Sequence, residues 1–101
     1  MIAFSPQEAL DTLDDHSHPF ISLFKNASCE IEVYKPDQVD LQTPHDRDEL
    51  YVVIAGKGTF YCDGERRPFQ TGDILFVDKG IDHRFEDFSE DFSTWVIFIN
   101  E

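Results

Sequence analysis

The sequence of 101 residues predicts an all-β fold, an antiparallel sandwich or barrel preceded by one short helix. From Phe20 onward, short runs of β-branched and aromatic residues follow one another. Turn signals such as Gly56-Lys57-Gly58 and Asp63-Gly64 separate these runs at intervals of roughly eight to ten residues. No helical pattern lies between the runs, so we expect neighbouring strands to pair antiparallel.

The N-terminal helix is predicted from the segment Ser5-Pro6-Gln7-Glu8. A serine three residues before a glutamate forms a capping box, and proline is favoured at the first helical position. The helix is therefore predicted to begin at Pro6 and to run to about Leu13, before an acidic, histidine-containing turn.

The predicted strands share β-branched and aromatic residues bounded by turn residues: FISLFK, CEIEVY, ELYVVIAG, GTFYC, DILFV, DHRF and STWVIFIN. Asp63-Gly64 is the strongest hairpin signal, because both residues tolerate the positive φ angles of a type I′ turn. We therefore expect a hairpin that joins FYC to ERRPF.

Two of these strands are apolar on both faces, ILFV at 74–77 and WVIFI at 95–99. An antiparallel sheet with one face in water does not need a second apolar face. The other sheet, the N-terminal segment or another subunit must cover it, and we favour a homodimer.

Length and composition predict one folded domain over 1–101, with a helix and lead-in at 1–19 and the barrel at 20–101. Eight basic and twenty-one acidic residues give 8 − 21 = −13, a charge that repels phosphate backbones and anionic lipids. Nucleic acid and membranes are therefore excluded as expected partners. No secretory signal or membrane span is visible, and the only two cysteines, Cys29 and Cys62, lie far apart, so we expect a cytoplasmic protein without a disulfide.

Two spaced motifs stand out in the strand region. In the first, three residues separate His45 from Glu49 and six separate Glu49 from Gly56. In the second, ten residues separate Gly72 from His83, with Asp78-Lys79-Gly80 between them. In order and spacing these motifs resemble those of the cupin superfamily, in particular a small single-domain barrel protein of the cupin_2 type. The first motif usually has a further histidine two residues before the one matched by His45, where this chain has Thr43.

The resemblance implies a double-stranded β-helix, the jelly-roll-like barrel of cupins, and a divalent metal bound by His45, Glu49 and His83. The chemistry of the residues agrees, since imidazole nitrogens and a carboxylate suit Fe, Mn, Ni, Cu and Zn. Glu49 also begins an otherwise apolar strand, and its alternation with Tyr51 and Val53 places all three on the same face of that strand. A carboxylate that faces a barrel interior needs a partner such as a metal, an arginine or a proton.

Thr43 leaves three alternatives open: a metal held by three protein ligands and waters, a weakly bound metal, or a site that has lost the metal. Thr43 itself is a candidate weak ligand, or a residue that contacts a ligand. The candidate pocket residues are Tyr51, Arg47 and Phe85. We interpret His16-Ser17-His18 as a solvated loop, since no glutamate follows at the motif spacing.

The resemblance implies two functions between which the sequence does not decide. One is a metal-dependent enzyme, similar to a dioxygenase or an isomerase, that acts on a small polar molecule. The other is a non-catalytic barrel that binds a small molecule with a weak metal site or none. Because so many chemistries share this fold, the fold does not choose between them, and whether the protein is an enzyme stays open.

Overall fold

The computed structural model describes residues 1–14 and 18–100, so the predicted loop at 16–18 lies mostly outside the described residues. The described chain begins with the helix α1 (Pro6–Asp14). The strands that follow it are β1 (Phe20–Lys25), β2 (Cys29–Tyr34), β3 (Asp48–Ala55), β4 (Lys57–Cys62), β5 (Glu65–Gln70), β6 (Ile74–Val77), β7 (His83–Glu86) and β8 (Ser93–Ile99). These elements confirm the predicted all-β fold with a short N-terminal helix.

The strands form two antiparallel sheets in the described part of the chain. The larger sheet has the order β1-β2-β8-β3-β6 and the smaller sheet has the order β5-β4-β7. The buried core residues come from both sheets and from the connections: Tyr34, Tyr51, Val53, Phe60, Phe69, Leu75, Val77, Phe85, Phe92, Val96 and Phe98. The core therefore lies between the sheets, as the predicted barrel requires.

The helix α1 begins at the predicted capping box. The Glu8 N–H donates to Ser5 Oγ at 3.1 Å, and the Ser5 N–H donates to Glu8 Oε1 at 2.9 Å. Ala9 and Leu13 pack on Val33 at the outer face of the larger sheet. The N-terminal segment thus covers part of the second apolar face that the sequence predicted.

The predicted hairpin joins β4 to β5 through Asp63 and Gly64. Their φ angles are 50° and 87°, and Cys62 faces Glu65 across the two-residue turn. Two successive positive φ angles are the signature of the type I′ turn, so this prediction is confirmed. Both cysteines are free, and no helix among the described residues is long and apolar enough to cross a membrane.

Gly56 and Gly72, the glycines of the two motifs, provide a matched test of packing. Their φ angles are 97° and 90°, but a Cβ on Gly56 would lie 2.6 Å from Phe92 Cα, whereas a Cβ on Gly72 would meet nothing within 4 Å. We predict that Gly72→Ala costs about 1–2 kcal/mol of unfolding free energy, from backbone strain alone. Gly56→Ala is predicted to cost roughly 1–3 kcal/mol more, because backbone must move. Urea unfolding measures both, and equal losses would contradict this account of Gly56.

Candidate metal centre

Glu49 lies near the start of β3 and points into the core. Its side chain is 1% exposed, and it shares the inward face of β3 with Tyr51 and Val53. Neither carboxylate oxygen accepts a hydrogen bond within residues 1–14 and 18–100. An unpaired buried carboxylate is costly, so this position calls for a cation or a proton.

His83 begins β7 in the smaller sheet and is buried against Glu49. Its Nδ1 lies 2.8 Å from the Ile81 carbonyl oxygen, which fixes the proton of the neutral ring on Nδ1. Nε2 of the neutral ring then carries a lone pair, and it lies 2.7 Å from Glu49 Oε1 and 3.1 Å from the Tyr51 hydroxyl. When the ring is neutral, two electron-rich atoms therefore approach each other closely inside the core.

His45 completes the cluster from the segment that precedes β3. Its Nε2 lies 3.7 Å from Glu49 Oε1, and its side chain is 30% exposed. The Gly80 N–H donates to the His45 carbonyl oxygen at 2.7 Å, which ties the second motif to the first. The candidate ligand atoms of His45, Glu49 and His83 all lie within 4.8 Å of one another.

This donor set fits a divalent transition metal. Two imidazole nitrogens and one carboxylate are a common set for such ions, and the partial exposure of His45 leaves one side of the cluster open. Both Glu49 oxygens lack a hydrogen-bond donor among the described residues, which is the condition that a cation would relieve.

A cavity of about 210 Å³ opens from the exposed side of the cluster. Its walls combine aromatic, apolar and charged side chains: Phe20, Glu32, Tyr34, Gln42, His45, Arg47, Glu49, Val96 and Phe98. A larger groove of about 520 Å³ adjoins it and shares Phe20, Tyr34 and Gln42. The smaller cavity is the candidate site, because it contains His45 and Glu49.

Of the residues predicted to line the pocket, Arg47 lines the cavity and Tyr51 contacts the cluster. Arg47 lines the cavity, where its guanidinium lies 4.2 Å from the Phe98 ring centre and 3.0 Å from Glu30 Oε1. The Tyr51 hydroxyl lies 3.1 Å from His83 Nε2, so Tyr51 contacts the cluster itself.

Three of the predicted residues, Tyr51, Phe85 and Thr43, do not contribute to the cavity walls. Phe85 packs in the core behind Tyr51, with the two ring centres 4.9 Å apart. Thr43 is exposed and does not line the cavity. At the described end of the predicted loop at 16–18, His18 is exposed in the larger groove.

Sequence reasoning missed Glu32 and Gln42, which line the cavity, and Asp40, which supports it. Glu32 had a signal, since it alternates with Glu30 along the strand CEIEVY. Asp40 and Gln42 stand in a polar connection ahead of the first motif, where no spacing rule marks them.

The pKa values of Glu32, which lines the cavity, and of His83, which belongs to the cluster, are raised. Burial, and then the negative charge of Glu30, raise the pKa of Glu32 to about 7. Burial alone would lower the pKa of His83, but the adjacent Glu49 carboxylate and the Ile81 carbonyl outweigh it and raise that pKa. Without a metal, these environments favour the protonated form of both groups.

A family model described as the cupin domain, Cupin_2, matches residues 30–98 of the chain. An uncharacterised protein of Streptomyces coelicolor is 27% identical over 81 residues, which cover 78% of this chain and 77% of that protein.

Among solved structures, a putative mannose-6-phosphate isomerase from Ralstonia eutropha aligns with a TM-score of 0.68 and 22% identity, over 81% of this chain and 83% of that one. KdgF from a Halomonas species aligns with a TM-score of 0.71 and 18% identity, over 81% and 77% of the two chains. At these identities, the structural similarity concerns the fold.

The raised pKa values predict that the metal-free protein loses stability as the pH rises. A pKa raised by folding contributes stability below the unfolded pKa, and this is lost as the pH rises through the folded pKa. For Glu32 this loss occurs between pH 4.5 and about pH 7. The raised pKa of His83 likewise lowers the stability as the pH rises above the ordinary histidine pKa of 6.5. We expect the unfolding free energy to fall by up to about 3 kcal/mol between about pH 5 and 8.

Urea unfolding in chelator at constant ionic strength measures this slope. Glu32→Gln should flatten it, whereas Glu65→Gln on the exposed face of β5 should leave it unchanged. The same slope in all three proteins would show that Glu32 does not cause it.

Proposed function

This chain belongs to the cupin superfamily, and on that premise we propose that it binds one divalent transition metal through His45, Glu49 and His83 and acts on a small polar molecule at that metal. The activity that we propose is a metal-dependent one of the dioxygenase or isomerase kind. One structural neighbour, from Ralstonia eutropha, is named as an isomerase, which agrees with the second of these.

The single observation that carries the proposal is the approach of Glu49 Oε1 to His83 Nε2. The two atoms lie 2.7 Å apart, both side chains are 1% exposed, and the Nδ1 contact with Ile81 leaves Nε2 with a lone pair. An ion accepts both lone pairs at once, whereas without an ion the buried carboxylate needs a proton from elsewhere, such as one on Nε2.

A metal held there would supply Lewis acidity and a fixed point of attachment for substrate oxygens. The protein groups around it would do the rest. Phe98 and Val96 form an apolar wall, and Arg47 is a cation at the cavity mouth that can pair with an anionic group of a ligand.

Glu32 is the group that we assign to proton transfer. Its side chain lines the cavity. A carboxyl group whose pKa lies near 7 can both accept and donate a proton at neutral pH, which suits a general acid or base.

The alternative function is a barrel that binds a small molecule without a metal. The raised pKa of His83 favours it, because a proton on Nε2 would also relieve the buried Glu49 carboxylate. Metal and proton therefore compete for the same two atoms, and metal content separates the two functions.

We predict that protein purified without chelator contains a divalent metal in a one-to-one ratio. Metal at 100 times its dissociation constant should stabilise the stripped protein by about 2.7 kcal/mol and raise the melting temperature by roughly 10 °C or more. His83→Ala and Glu49→Gln should abolish both effects, and the metal should leave as the pH falls below about 6, where imidazole takes up protons. Elemental analysis and thermal unfolding are the measurements.

His18→Ala is the matched control, because His18 is exposed and lies outside the cluster. It should bind metal like the parent. A parent protein that contains no metal, and gains no stability from Mn(II), Fe(II), Ni(II), Cu(II) or Zn(II), would exclude the metal-dependent function.

We also propose that the protein is a homodimer. An apolar row crosses the outer face of the larger sheet through Ile31, Ile97, Leu50 and Phe76, which are consecutive cross-strand partners. Phe76 is 51% exposed, and neighbouring Ile74 is 65% exposed. The helix α1 packs on the adjacent part of this face, and a second copy would cover this row.

Light scattering tests the dimer. Phe76→Arg is predicted to give a folded monomer, because it places a charge in the apolar contact. Val39→Arg, at a residue that is 59% exposed on a connection, should leave the dimer intact. A parent protein that is monomeric at micromolar concentration would contradict the proposal.

A further inference from the structure

The side chain of Gln42 faces the cluster, although nothing in the motif spacing marks it. Its Oε1 lies 3.3 Å from His45 Nε2 and accepts a hydrogen bond from the Tyr51 hydroxyl at 3.0 Å. Thr43, the next residue, is exposed. The oxygen next to the cluster thus belongs to an amide, one position before the residue that the motif aligns with a histidine.

The orientation of the Gln42 amide is fixed by Asp40. Gln42 Nε2 donates to Asp40 Oδ2 at 2.6 Å, and the Gln42 N–H donates to Asp40 Oδ1 at 3.1 Å. A carboxylate accepts but does not donate, so the nitrogen of the amide must face Asp40 and the oxygen must face His45. The side chain cannot rotate its nitrogen toward the cluster without losing this bond.

Asp40 is held in turn by two strands. It is buried, and it accepts from the Tyr34 hydroxyl of β2 at 2.6 Å and from the Phe85 N–H of β7 at 2.9 Å. Together with the two bonds from Gln42, these donors satisfy both of its oxygens. The connection between β2 and β3 is therefore anchored at Asp40, and Gln42 projects from that anchor.

We propose that Gln42 Oε1 is a fourth protein ligand of the metal site and that Asp40 positions it. The inference rests on the proposed metal-dependent function. Two ligand atoms that are each about 2.1 Å from one ion, and at right angles to each other, lie about 3 Å apart. The distance from His83 Nε2 to Glu49 Oε1 is 2.7 Å and that from His45 Nε2 to Gln42 Oε1 is 3.3 Å, so the two distances bracket this value. A carbonyl oxygen has two lone pairs, so it can also keep the bond from Tyr51.

The proposed fourth ligand changes the set of donor atoms, and with it the metal preference of the site. A site with two imidazoles, one carboxylate and one amide oxygen has two oxygen donors, whereas three imidazoles and one carboxylate have one. Harder oxygen donors suit Mn(II) better than they suit Cu(II), although intrinsic affinity still favours Cu(II). Gln42 should therefore contribute relatively more to the binding of Mn(II).

The test measures Mn(II) affinity of the full chain by titration calorimetry and follows Mn(II) by electron paramagnetic resonance. Gln42→Leu keeps much of the side-chain bulk but removes the oxygen, and should weaken Mn(II) binding on the order of 10- to 100-fold with an altered resonance spectrum. Thr43→Ala, the matched neighbour, should bind like the parent. A Gln42→Leu protein with parental affinity and spectrum would overturn the proposal.

The positioning role of Asp40 is tested by a double-mutant cycle. Asp40→Asn should weaken Mn(II) binding in the parent but cost nothing further in the Gln42→Leu background, because it acts through Gln42. Additive losses would overturn that role. If Asp40→Asn does not fold, Tyr34→Phe removes one bond to Asp40 and enters the same cycle.

The two proposals fail in different ways. If the parent binds Mn(II) and His83→Ala does not, while Gln42→Leu equals the parent, the metal site stands and the fourth ligand is wrong. If the parent binds none of the metals, the proposed metal-dependent function fails, and the fourth ligand fails with it.

Discussion

The contact between Glu49 and His83 is the constraint around which the rest of the structure is arranged. Two side chains that are each 1% exposed bring a carboxylate oxygen and an imidazole nitrogen to 2.7 Å. Burial of an unpaired charge costs several kcal/mol, and such a pair persists only in a rigid and well-packed environment. The site is thus a local cost that the surrounding fold must offset.

The surroundings offset it through an aromatic core and through anchored polar groups. The Phe85 ring packs against Tyr51 and Phe60, each with ring centres 4.9 Å apart, and these residues lie directly behind the cluster. Asp40 binds its connection to both sheets through hydrogen bonds from Tyr34 of β2 and Phe85 of β7, and it accepts two further bonds from Gln42 within the connection. Rigid walls of this kind fix the ligand atoms before a ligand arrives, which lowers the entropy lost on binding.

Much of this arrangement could be predicted from local patterns. The resemblance to the cupin motifs selects Glu49, and its place on an apolar strand predicts that it faces inward, where the structure has it buried with Tyr51 and Val53. The capping box at Ser5 and the turn at Asp63-Gly64 were likewise predicted from short-range chemistry, which acts the same way in any fold. The match to the cupin domain over residues 30–98 agrees with the motif spacing.

Gln42 and Asp40 could not be predicted in this way, because their role depends on contacts that are distant in sequence. Motif alignment assigned the candidate position to Thr43, and only the path of the connection decides that the neighbouring amide faces His45 instead. Asp40 reaches Phe85 across 45 positions, a separation that no periodicity encodes.

The sequence by itself determined the strands, the turns and the inward parity of Glu49, since these follow from backbone and side-chain chemistry within a few residues. Only the tertiary structure decided which side chains meet at the cluster. The physical reason is that the cluster is formed by side chains from both sheets and from the connection before β3. The distances between these side chains depend on how the three parts pack against one another.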